Sequence, residues 1–300
     1  MTAAIECTAL SKHFGRTWAL RDCSLSISPG RIVALVGPNG AGKTTLMNLA
    51  VGLLQPSGGE VRIFGSSPRE QAASVLAKTG FLAQERPLYR RLTVAQMLQF
   101  GRLMNPRWDQ AFATSRLGEL GIPLERRVGR LSGGQQAQVA LTLVLAKRPE
   151  LLLLDEPTSN LDPVARREFT RSLLDAAASD GLTVVISSHI VAELERFCDY
   201  LILLSEGQIQ LAGDIEELLR RHAMLYGDPA QADRMASRPG VVGVVGGRRQ
   251  AVAVVQRPPA IHEPGWEVGE ISLEDLVISY MENPGAGALP PPTPLVEAGS

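Results

Sequence analysis

Nine residues, Gly37-Pro38-Asn39-Gly40-Ala41-Gly42-Lys43-Thr44-Thr45, have the spacing of a phosphate-cradling loop, G-x-x-x-x-G-K-[ST]. Glycines let the backbone curl so that several N–H groups point inward, and a helix start adds its positive end. Lys43 reaches the outer phosphates as a point charge, and the Thr44 hydroxyl is a hard oxygen suited to Mg²⁺. Farther along, Leu151-Leu152-Leu153-Leu154 runs into Asp155-Glu156-Pro157. Two carboxylates at a strand end are costly unless a cation sits with them. Asp155 holding Mg²⁺, with Glu156 free to orient and deprotonate a water, satisfies that demand; the plainer alternative is a solvated acidic turn. His189 follows another apolar run and fits a terminal-phosphate contact or a structural histidine. Ser132-Gly133-Gly134-Gln135 opens a helical run and makes either a second anion seat or an ordinary serine N-cap.

These groups need elements to carry them. Residues 31–36 predict a buried strand before the phosphate loop, and residues 45–50 the helix after it. Residues 5–10 and 23–27 alternate as strands, and residues 61–64 form another that ends at Gly65. Residues 80–83 predict a buried strand closed by Gln84. Thr93 with Gln96 matches a capping box, and residues 86–150 are expected to be a mainly helical insert. Residues 151–154 form an uninterrupted apolar run, as in a strand covered on both faces, and residues 183–188 predict another buried strand. Asp162 before Pro163 is a strong helix start. Residues 200–204 and 208–211 predict a hairpin, and Asp214 with Glu217 a capped helix. Beyond residue 222, paired strands around Gly246-Gly247 and a helix from residue 273, capped by Ser272, predict a small α+β appendage. Residues 284–300, with three consecutive prolines, predict a disordered tail. Phe14 fits a base-stacking ring or a core residue of a hairpin.

The chain has 300 residues, 45% of them hydrophobic, enough for a sizeable core. Its 30 Lys and Arg against 31 Asp and Glu give a net charge of −1, which argues against a broad nucleic-acid footprint. Cys7, Cys23 and Cys198 are far apart and form no CxxC pair, so reduced thiols and a cytosolic setting are expected. No apolar window reaches the length of a membrane span, about 18 residues, so a membrane role requires another chain.

Taken together, the loop at 37–44, Gln84, Leu131-Ser132-Gly133-Gly134-Gln135, the run 151–157, Asp162 and His189 resemble the ATP-binding subunit of ABC transporters. The phosphate loop is common to many families, whereas Leu-Ser-Gly-Gly-Gln ahead of an apolar run ending Asp-Glu-Pro is specific to this one. The resemblance spans residues 5 to about 220. It implies an α/β fold: a P-loop NTPase core with an antiparallel β subdomain and a helical signature-motif subdomain about 86–150, all within 1–222. The appendage at 223–283 and the tail would follow.

By the same resemblance Phe14 would stack on adenine, although many relatives have Tyr there. Residues 37–45 would hold the phosphates, and Thr44, Gln84 and Asp155 would surround Mg²⁺. Glu156 would be the catalytic base and His189 the γ-phosphate contact. Ser132, Gly133, Gly134, Gln135 and Asp162 would close on the ATP of a second subunit, identical or related. The partners implied are that second subunit and a separate transmembrane permease at the cytoplasmic membrane face, with no nucleic acid. The segment 84 to about 105 would carry the coupling groove. Gln136-Ala137-Gln138 and residues 271–276 are similar to exporters of drugs, antibiotics or peptides with a separate small permease. The alternative is a soluble ATPase of DNA repair, chromosome organisation or translation. Such relatives carry long insertions or two cassettes, and neither is visible here.

Overall fold

The computed structural model describes residues 2–85, 88–256 and 265–284. The expected tail therefore lies outside the described residues, except for Pro284.

The polar motifs hang on one six-stranded sheet. It comprises β3 (Ile32–Val36), β5 (Thr79–Leu82), β6 (Leu151–Leu154), β7 (Thr183–Ser187), β8 (Tyr200–Ser205) and β9 (Gln208–Asp214), in the order β5-β6-β7-β3-β8-β9. Five strands run parallel and β9 returns antiparallel at the edge. Every residue of β6 and β7 is buried, which explains the unbroken leucine run of β6 and the apolar centre of β7. The β8–β9 hairpin turns at Glu206-Gly207, both with positive φ, as a two-residue turn of matching twist requires.

One face of this sheet packs on α1 (Lys43–Ala50). Above α1 lies an antiparallel sheet of β1 (Ile5–Phe14), β2 (Thr17–Ile27) and β4 (Gly58–Ile63), in the order β2-β1-β4. Leu10, Leu20, Leu46, Met47 and Leu35 share that core with Cys7 and Cys23. All three cysteines are buried and free. A short helix α2 (Ala72–Lys78), with only Val75 buried, precedes β5.

The opposite face takes α5 (Gly133–Ala146) and α6 (Pro163–Asp180), with Leu141, Leu145, Phe169 and Leu173 against Leu152, Leu154 and Ile186. The helical insert is α3 (Val94–Met104), α4 (Gln110–Glu119) and α5. Its capping box at Thr93–Gln96 forms in both directions, at 2.9 and 3.2 Å. Within this insert α5 serves two cores. Val139 and Ala146 face α3 and α4, whereas Ala137, Ala140 and Leu141 face the sheet. α5 therefore ties the helical layer to the strand ends.

α7 (Val191–Leu194) follows β7, and α8 (Ile215–Arg220) follows β9. The appendage is a four-stranded sheet of β10 (His222–Gly227), β11 (Val241–Gly246), β12 (Ala251–Gln256) and β13 (Trp266–Gly269), in the order β11-β12-β10-β13. It also holds α9 (Ala232–Ala236) and α10 (Leu273–Glu282). One sheet face buries Leu225, Met235 and Trp266. On the other, Leu273, Leu276, Val277 and Tyr280 of α10 merge with the main core through Leu194 and Leu218. The Leu273 N–H donates to Glu195 Oε1 at 3.3 Å. The appendage is thus packed onto the segment just after His189.

A candidate nucleotide site and a second seat

The sheet order explains how distant motifs meet. β5, β6, β7 and β3 are consecutive neighbours, and in an open parallel sheet ligands bind beyond the carboxyl ends of the strands. Gln84 follows β5, Asp155 and Glu156 follow β6, His189 follows β7, and the glycine loop follows β3. A cleft of about 420 Å³ is lined by Asn39, Gly40, Gly42, Lys43, Thr44, Thr45, Gln84, Glu156 and His189, with Ala19 of β2 on its wall.

The loop turns sharply into α1 at Gly42, whose φ is +107°, and a Cβ there would lie 2.4 Å from the Ala19 carbonyl. Only glycine fits. Gly37, Pro38 and Ala41 belong to the loop but are not among the residues that line the cleft. Lys43 is buried, and its Nζ donates to the carbonyls of Gly37 (2.7 Å) and Pro38 (3.1 Å). Burial pulls its pKa down, and the charges of Glu156 and Asp155 oppose that fall. Thr44 Oγ1 donates to Asp155 Oδ2 at 2.7 Å. Asp155 is 1% exposed, so its charge is held by donors rather than by water. The alternative of a solvated acidic turn is excluded for Asp155.

Glu156 adopts φ +43°, a left-handed conformation that non-glycine residues rarely hold. His189 Nδ1 stands 3.4 Å from Glu156 Oε2. Ser187 was not singled out in the sequence. It donates to Asp155 Oδ1 at 2.8 Å and accepts from the Glu156 N–H at 2.8 Å.

Phe14 does not join this set. It ends β1 at the hairpin turn, 51% exposed, with Lys12 Nζ 5.1 Å from its ring centroid, and it is not among the lining residues. A hairpin-core phenylalanine is excluded, because half of its surface is exposed at the turn.

The signature residues line a different cleft of about 230 Å³, with Ser132, Gly134, Gln135, Gln138, Asp162 and Glu168 in its walls. Ser132 and Gln135 form a reciprocal capping box at 3.2 Å in each direction. The N-cap alternative therefore holds within the chain, and the exposed Gly133 adds an open backbone beside it. Gly134 sits close to α6, where a Cβ would lie 2.9 Å from Ala165 Cβ. Asp162 Oδ1 accepts from the N–H groups of Val164 and Ala165, both at 3.0 Å. No residue lines both clefts.

A glycine loop between a central parallel strand and a helix, with buried Asp155 on Thr44, defines a phosphate-loop nucleotide-binding protein. The comparisons narrow the class. A family model described as "ABC transporter" matches residues 20–159, and one described as "AAA domain, putative AbiEii toxin, Type IV TA system" matches residues 125–195. The phosphonates import ATP-binding protein PhnC 2 of Pseudomonas savastanoi pv. phaseolicola (strain 1448A / Race 6) is 35% identical over 258 residues, covering 78% of this chain and 93% of that protein. The sulfate/thiosulfate import ATP-binding protein CysA of Salmonella typhi is 35% identical over 232 residues, covering 74% of this chain. The match spans 64% of that relative's length, so the chain covers under two thirds of it. A solved ATP-binding subunit of an ABC transporter superposes with a TM-score of 0.66 at 26% identity, covering 72% of this chain and 92% of that one. The cbiO1 structure from Clostridium perfringens gives 0.64 at 27%, covering 73% and 92%. This chain belongs to the family of ABC transporter ATP-binding proteins, an ATP-binding family.

Proposed function

We propose that this chain hydrolyses ATP to drive a separate membrane-spanning permease, and that it does so as one of two ATP-binding subunits facing head to tail. The observation that carries this is the separation of the two clefts. A signature seat that shares no lining residue with the cleft of the chain's own phosphate loop suits the loop of a second subunit.

The residues present fit Mg²⁺. Thr44 and Asp155 are hard oxygen donors 2.7 Å apart, with Gln84 in the same cleft. Among the described residues no cluster of three acidic, His or Cys groups forms a full cage. Mg²⁺ is commonly held by one or two carboxylates plus substrate phosphates. When bound it neutralises phosphate charge. Lys43 would turn from the loop carbonyls to the outer phosphates. Glu156 would take the proton of the water that attacks the terminal phosphorus as the bond to ADP breaks, and His189 beside it would hold the terminal phosphate.

Among the described residues no helix is long and apolar enough to cross a membrane. Tyr89, Phe100, Leu103 and Met104 are exposed together on the helical layer, and the Tyr89 and Phe100 rings meet edge to face at 5.6 Å. This patch, flanked by Arg90 and Arg91, is the surface on which the permease would dock at the cytoplasmic face. The relatives named above import sulfate, thiosulfate or phosphonates by their names, so drug or antibiotic export has no support from them. We infer transport coupling without assigning export.

The test is the Mg²⁺-dependent ATPase of the purified chain with its Glu156→Gln variant. The variant keeps shape and loses the base, so hydrolysis should fall about 10²- to 10⁴-fold while ATP still binds and dimer accumulates. A wild-type rate would remove Glu156 as base.

A further inference from the structure

One hydroxyl outside all the sequence motifs joins the strand ends beneath the cleft. Ser187 closes β7 and has no exposed surface. Its Oγ donates to Asp155 Oδ1 and accepts from the Glu156 N–H, both at 2.8 Å. The other carboxylate oxygen of Asp155 accepts from Thr44. Each oxygen therefore has its own hydroxyl donor, one from α1 and one from β7, and the carboxylate plane is fixed from two sides. Glu156, whose N–H ends on Ser187, is the residue in the left-handed conformation. Such backbone persists only where its surroundings over-determine it.

We propose that Ser187 is a positioning residue for the hydrolytic site. It holds Asp155 with Oδ2 turned toward Thr44, and it holds Glu156 in the turn that places its carboxylate beside His189. This rests on the hydrolytic function proposed above. Ser187 lines no part of the cleft and acts only through its two neighbours. A hydroxyl suits the position because it donates to a carboxylate and accepts from an N–H at once. Alanine would leave a buried carboxylate oxygen and a backbone N–H each short of a partner, and cysteine would offer only a weak substitute for both bonds.

The experiment uses the full chain with Ser187→Ala and Ser187→Cys. Binding of a fluorescent ATP analogue is titrated with and without Mg²⁺, and kcat and KM are measured separately. The expected result for Ser187→Ala is nucleotide affinity without Mg²⁺ within about twofold of wild type. The Mg²⁺ concentration for half-maximal effect should rise about tenfold, and kcat should fall roughly 10- to 100-fold at nearly constant KM, the scale of one lost charge-assisted bond. A purely structural role would lower the melting temperature without this split. Wild-type kcat and Mg²⁺ requirement in Ser187→Ala would overturn the proposal. If that variant does not fold, Ser187→Cys carries the test, with the same criteria. A wild-type chain that binds Mg²⁺ and ATP without turnover would defeat the hydrolytic function instead, and the Mg²⁺ titration would still decide on Ser187.

Discussion

Mixing two impaired variants should restore activity, and the amount can be worked out from the two clefts. Lys43→Ala removes the cation of the phosphate loop. A charge-assisted contact to phosphate is worth about 1.5–3 kcal/mol, so nucleotide affinity should fall roughly 10- to 100-fold. Gly133→Asp puts a carboxylate at the signature seat. A Cβ at Gly133 meets nothing within 4 Å, so the chain itself accommodates the change, and an acidic residue suits the first turn of α5. Against a phosphate about 4 Å away at an effective dielectric near 20, the new charge costs about 4 kcal/mol, close to a thousandfold. At an ATP concentration below the wild-type KM, each variant alone should therefore keep about a tenth of the activity or less. In a mixed dimer one composite site carries both lesions, and the other pairs the intact loop of the Gly133→Asp subunit with the intact signature of the Lys43→Ala subunit. Random pairing makes about half the dimers mixed, with one intact site in two, so an equal mixture should hydrolyse ATP at about one quarter of the wild-type rate. The assay is steady-state phosphate release after co-incubation at a concentration where wild type dimerises with ATP. A mixture no faster than the mean of its components, with both variants folded, would refute the two-subunit site.

Phe14→Ala should leave stability unchanged, because the ring is half exposed. If the ring stacks on the base it should raise the KM for ATP roughly 5- to 100-fold; a KM within twofold of wild type would free Phe14 of that role. A pH dependence follows from His222, which is wholly buried between the Leu218 carbonyl (2.7 Å) and Tyr280 Oη (2.9 Å). Burial lowers its pKa from the ordinary 6.5; the bond to the Leu218 carbonyl opposes that fall in part, and Arg221 adds a smaller push downward. The unfolded chain then takes up a proton first as pH falls, so this group costs stability below about pH 6.5, by at most about 1.4 kcal/mol per pH unit. His222→Gln should flatten the melting temperature between pH 7.5 and 5.5 relative to wild type; parallel curves would contradict the assignment.

The strand ends were legible because apolar runs stop at polar residues, as at Leu154 before Asp155 and at Ile186 before Ser187. The caps at Thr93, Ser132, Asp162, Asp214 and Ser272 were legible because the side chain and the N–H it accepts lie within three residues of each other. Ser187 was not legible, since its partners lie more than 30 residues away and only the β6–β7 pairing brings them together. Helix α2 gave little signal because it buries a single side chain. β10 begins one residue after α8, with no Gly or Pro between them to mark a new element. The seating of α10 on the main core depends on tertiary contacts with Leu194 and Leu218 that no local pattern encodes.

The central claim is that this ATPase works for a membrane partner. The most direct measurement is to purify the tagged chain from native membranes in mild detergent and identify what accompanies it. A stoichiometric multi-span membrane protein, lost when Phe100 and Leu103 are both replaced by aspartate, is the result expected. A soluble repair or ribosomal partner, with no membrane protein, would contradict the account and leave only the ATP chemistry standing.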